Sequence, residues 1–175
     1  QGELVSPARI IVDGFDGRGC FYASIIIGDV DNNGENEMIV GWKEDQTINK
    51  GTILGYKVNK TAEHVYTFAY DDPDLDMSYF EKMMAIADAD NDGKNELVVS
   101  TRGDNFSEKI CSDHLGHVFM FTVGEIITKE LLVDFKKDFA ESSWLAVGDA
   151  DNDGKNEIVL ATGKGDRTQA GSSFV

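Results

Sequence analysis

IIIGDVDNNGENEMIV (residues 25–40) aligns without a gap with MAIADADNDGKNELVV (84–99) and LAVGDADNDGKNEIVL (145–160). The first aspartates of the three copies, Asp29, Asp88 and Asp149, are 59 and 61 residues apart, so the chain is first of all an array of repeats. Each copy sets an acidic loop between two short apolar runs, such as Ile25-Ile26-Ile27 before it and Met38-Ile39-Val40 after it. Runs that are apolar at every position are expected of strands buried on both faces. Each pair is followed by the turn and strand signals of an outer hairpin, Gly51 to Asn59 with Ala62 to Tyr70 in the first repeat and Gly116 to Val123 with Ile126 to Phe135 in the second.

Four antiparallel strands per repeat, repeating every few tens of residues, predict an all-β fold of β-propeller blades. Residues 1–175 then form one propeller segment of three blades, at about 23–70, 82–135 and 143–175. Ala8 to Val12 takes the place of a fourth strand of a preceding or partner blade, and Ser172 to Val175 that of a third strand just begun. Gly28, Ala87 and Gly148, small and just ahead of each loop, suit crowding where inner strands converge; simple turn preference is the alternative. Three blades are fewer than the four to eight that usually close a propeller. Either these residues belong to a longer propeller, or identical chains associate to complete an incomplete ring, about six blades from two chains.

The loops carry the chemistry. Positions one, three and five offer side-chain oxygens, position six is glycine, and position nine is glutamate. A hard cation such as calcium takes six to eight oxygens, and a glycine bend lets alternate side chains converge while position seven turns in its main-chain carbonyl. An EF-hand shares the first six positions but needs a glutamate at position twelve, where Val40, Val99 and Leu160 stand here, and helices on either side. Zinc and copper ask for His or Cys, absent from all three loops, and magnesium for fewer protein carboxylates. An acidic turn with no ion is the alternative, and it would leave several carboxylates repelling one another.

The loops resemble those of FG-GAP and VCBS-type repeats, the calcium-binding propeller repeats of integrin α subunits and of many secreted proteins. The resemblance implies three Ca²⁺ sites: Asp29, Asp31, Asn33, Glu35 (main chain) and Glu37; Asp88, Asp90, Asp92, Lys94 (main chain) and Glu96; Asp149, Asp151, Asp153, Lys155 (main chain) and Glu157. It also implies that the loops stiffen one face while a partner is met on the other. The Phe-Gly and Gly-Ala-Pro words that name the family are missing, with Val40-Gly41-Trp42 where the latter would stand in the first repeat.

Composition narrows the partners. Thirty-two acidic against sixteen basic residues give a net charge of −16, which repels nucleic acid and anionic membranes. No apolar run approaches the ~20 residues of a membrane span. Calcium sites of this type fill outside cells, so an extracellular or cell-surface location is expected. Cys20 and Cys111 are either ordinary thiols or one inter-blade disulfide. The connections opposite the loops hold Phe21, Tyr22, Trp42, Tyr79, Phe80, Phe106 and Trp144, which either pack between blades or stack on a protein or glycan ligand. No nucleophile or acid–base pair stands out beside the metal loops, and a non-catalytic adhesion or recognition module is expected. The rival expectation is the propeller part of a polysaccharide-degrading enzyme such as a lyase.

Overall fold

A computed structural model describes residues 23–45, 48–58, 62–72, 84–101, 117–134, 141–163 and 172–174. The chain is all-β, with no helix among the described residues. The first sheet is a four-stranded meander of β1 (Ala23–Gly28), β2 (Glu37–Asp45), β3 (Ile48–Val58) and β4 (Ala62–Asp72). The second repeats it with β5 (Met84–Ala87), β6 (Glu96–Ser100), β7 (His117–Val123) and β8 (Ile127–Asp134). The third holds β9 (Glu141–Gly148), β10 (Glu157–Gly163) and β11 (Ser172–Phe174). Every neighbouring pair is antiparallel. The expected outer hairpins are thus present within three residues of their predicted bounds, and the C-terminal strand does pair with β10.

Alternation along each strand explains how the sheets stack. In β6, Leu97 and Val99 point towards the first sheet and join a core with Ile39, Ile53, Phe68, Phe119 and Phe121. Val98 points the other way and joins Val118, Met120 and Leu160, with Leu145, Val147 and Ile158 packed against them. A strand between two cores must be apolar at every position, and β6 is buried throughout. The first strands lie next to one another in order, β1 against β5 and β5 against β9. At the outer end of the first junction Lys129 donates to Asp72 at 2.7 Å and lies 4.3 Å from the centre of the Phe119 ring.

Gly55 makes the first sheet compact. A Cβ there would stand 3.0 Å from Tyr66 Cβ, 3.1 Å from Ile39 and 3.2 Å from Phe68, so its absence lets these three close over the strand.

One expectation fails at the ends of the array. The first strands were expected to be buried on both faces, yet Ile25 and Ile27 of β1 are 62% and 66% exposed, and Trp144 of β9 is 47% exposed. Only the middle sheet has a neighbour on each side among the described residues. Ala8 to Val12 lies outside the described residues.

Candidate metal centre

Each loop is wound by its own side chains. In the first, Asp29 accepts from the Asn33 N–H at 2.9 Å and, through its other oxygen, from the Gly34 N–H at 2.9 Å. Asp31 accepts from the Asn33 N–H at 3.1 Å, and Asn33 Oδ1 from the Glu35 N–H at 2.8 Å. The third loop repeats all four contacts through Asp149, Asp151 and Asp153 at 2.9–3.0 Å. The second keeps the Asp88–Gly93, Asp90–Asp92 and Asp92–Lys94 contacts. These turns demand left-handed backbone: φ is 60°, 63° and 64° at Asn32, Asn91 and Asn152, and 89°, 91° and 89° at Gly34, Gly93 and Gly154. Asparagine and glycine are the residues that adopt it at least cost, which explains why positions four and six do not vary.

The winding brings positions one, three and nine together. Asp29, Asp31 and Glu37 each place a carboxylate oxygen within 4.8 Å of the others, as do Asp88, Asp90 and Glu96, and Asp149, Asp151 and Glu157. Asp92 and Asp153 stand outside these groups, each with one oxygen engaged in the turn. The Glu35 side chain stands 3.8 Å from Lys57, and Lys94 and Lys155 are exposed.

The ninth-position glutamates anchor each loop to its sheet. Glu37, Glu96 and Glu157 accept from the N–H of position two, Val30 at 3.2 Å, Ala89 at 2.9 Å and Ala150 at 2.7 Å. Glu37 and Glu96 are fully buried, and each has one carboxylate oxygen, Oε1, with no hydrogen-bond partner among the described residues, as has Asp88 Oδ1. Burial raises the pKa of Glu37, and the Asp31 charge raises it further; burial does the same at Glu96, with Asp90, Asp92 and Asp88 adding to it. A buried carboxylate with one oxygen lacking a donor and facing other carboxylates is costly when charged, and a cation among them relieves that cost. The donor set is all oxygen, which suits a hard cation such as calcium.

A pH dependence follows for the metal-free protein. A carboxyl whose folded pKa lies above its unfolded value binds more protons folded than unfolded between the two, so stability falls as pH rises through that window. Without divalent cations, the protein is expected to melt higher just above pH 4.5, the ordinary value for Glu37 and Glu96, than at pH 7. Differential scanning fluorimetry in chelator across that range checks it, and a rising Tm towards neutrality contradicts it.

Two features escaped the sequence. Tyr66 of β4 donates its hydroxyl to Asp31 at 2.5 Å, and burial, with the Asp31 contact adding to it, pushes its pKa up to about 12. The loops are also clasped to one another. Asn32 accepts from the Asn95 N–H at 2.7 Å and donates to the Asn95 carbonyl at 3.1 Å, while Asn95 donates its side-chain amide to the Asp29 carbonyl at 2.9 Å. Asn91, Asn156 and Asp88 repeat the arrangement one sheet further on, at 2.7, 3.1 and 2.8 Å. The signal was available, because positions four and eight are asparagine in every copy while position seven changes from Glu to Lys.

Of the aromatic residues expected on the opposite face, Trp42 is buried in a cluster with Val40 and Tyr56, and Trp144 is half-exposed. Phe21, Tyr22, Tyr79, Phe80, Phe106, Cys20 and Cys111 lie outside the described residues. Comparison with protein families, curated proteins and solved structures finds no match to this chain.

Proposed function

We propose that this chain is a calcium-stabilised segment of a β-propeller of the FG-GAP/VCBS type, an extracellular, non-catalytic scaffold that presents a protein- or glycan-binding face opposite its metal loops. The observation that carries the reading is the set of buried carboxylate oxygens of Glu37 and Glu96 that have no hydrogen-bond partner among the described residues, each within a cluster of acids that a cation would reconcile. The stacking of four-stranded meanders with their first strands adjacent supports the blade reading. The clasps give calcium something to stiffen: a loop fixed in one sheet holds the backbone of the next. Variable connections carried on a rigid framework are where recognition usually resides.

Calorimetric titration with calcium chloride tests the metal, with three sites expected at dissociation constants of about 10⁻⁴–10⁻³ M and much weaker binding of magnesium. Heats no greater than dilution would remove the proposal's basis. A glycan array run beside an oligosaccharide-cleavage assay tests the role: retention without turnover is expected, and turnover would make the chain part of an enzyme.

A further inference from the structure

The two junctions between sheets are built alike, and the outer faces of the array carry the two halves of a third. At the first junction Gly28 faces the second sheet, and a Cβ on it would lie 3.1 Å from Ile86. Beside this seat Asn32 clasps Asn95, which reaches back to Asp29. At the second junction Ala87 aligns with Gly28, Val147 with Ile86, and the clasp runs from Asn91 to Asn156 and back to Asp88.

On the free side of the third sheet the aligned seat is Gly148, with nothing within 4 Å of where its Cβ would be. Around it Ala146 and Ala161 are exposed and Trp144 is 47% exposed. Asn152 already holds the left-handed φ of 64° that Asn32 and Asn91 use for clasping, but has no loop to hold among the described residues. On the free side of the first sheet the residue aligned with Ile86 is Ile27, 66% exposed, beside Ile25 at 62%. Asn36 aligns with Asn95 and Asn156, is exposed, and likewise lacks a partner among the described residues. The outer part of this face is already buried around Val40, Trp42 and Tyr56, so what remains open is the inner edge where the other junctions are made.

We propose that a second copy of this chain binds head to tail across these faces: Ile27 of one copy seats over Gly148 of the other, whose Asn152 clasps the Asn36 backbone while Asn36 donates to the Asp149 carbonyl. The occupant is argued from continuity with the two junctions already formed, since each free group has its complement at the opposite end of the same chain. The face is heterologous, and two copies that use both ends close on each other through two such contacts. The proposal rests on the reading of the sheets as blades and is independent of which ion or ligand they bind.

Sedimentation velocity in calcium tests it with two variants that leave the single chain undisturbed. Ile27→Asp changes an exposed side chain, and Gly148→Arg adds one where there is open space and no left-handed backbone requirement. The wild type is expected to sediment as a two-copy species and each variant alone as a single copy. An equimolar mixture of the variants is expected to regain a two-copy species, because the intact seat of Ile27→Asp meets the intact Ile27 of Gly148→Arg. A wild type that stays single at high concentration, variants that associate as the wild type does, or a mixture that stays single would each overturn the proposal. Calcium titration of the same samples separates this from the metal reading, since binding by a chain that does not associate would refute the head-to-tail contact alone.

Discussion

Chelation is expected to lower the melting temperature more than any single surface substitution can. A site filled to a hundredfold above its dissociation constant stabilises the folded state by about 2.7 kcal/mol, and three such sites by about 8 kcal/mol. Domains of this size have a net stability of about 5–15 kcal/mol, so the chelated protein should be only marginally folded. The opposing acids give the effect its cause: without a cation, Glu37 and Glu96 remain buried, each with an oxygen that has no donor among the described residues. Glu96→Gln sharpens the expectation, because an amide oxygen can still accept from the Ala89 N–H held at 2.9 Å but carries no charge. In saturating calcium the variant should melt about 5–10 °C below the wild type, from the loss of one site. In chelator it should melt at the same temperature or higher, since a repelled buried charge has been removed. Thermal melts of both proteins in both conditions check this, and a variant equally destabilised with and without calcium would show that Glu96 acts by packing alone.

The loops were legible in the sequence because their requirements are local. A left-handed residue, a glycine and three carboxylates at fixed spacing leave little choice, and Asp29, Asp31 and Glu37 meet as the spacing implies. The strands were legible for the same reason, since an apolar run such as Leu97-Val98-Val99 must divide its side chains between two neighbours. What was not legible depends on residues far apart in the chain, 63 positions for Asn32 and Asn95 and 35 for Asp31 and Tyr66. No pattern within one repeat says that Asn32 holds Asn95, or that Tyr66 of an outer strand reaches Asp31. Nor does a single repeat reveal that Ile25 and Ile27, as apolar as their counterparts Met84 and Ile86, are exposed. That follows from position in the array, which composition does not encode.

Phe121→Ala is expected to cost about 3–5 kcal/mol, the range for truncating a buried aromatic residue whose cavity cannot collapse. Phe121 is fully buried in β7, pairs in register with Leu97, and meets Phe68 of the first sheet edge to face, 5.9 Å between ring centres at 84°. Its neighbours Ile39, Ile53, Leu97 and Val99 belong to backbone already fixed by ladder hydrogen bonds, so little can move in to fill the space. Leu131→Ala on β8, at a side chain that is 50% exposed, should change stability by less than about 0.5 kcal/mol and serves as the control. The larger consequence concerns cooperativity. Stacked repeats unfold together only while each interface is strong relative to the sheets it joins. Loss of Phe121 weakens the first junction and leaves the second, built on Val98, Val118, Met120 and Leu160, untouched. Urea unfolding followed by tryptophan fluorescence should therefore show a broader transition with a lower apparent m-value, because Trp42 reports the first sheet and Trp144 the third. A Phe121→Ala transition as steep as the wild type's, merely shifted, would mean that the loop clasps and not the apolar cores make the sheets one cooperative unit.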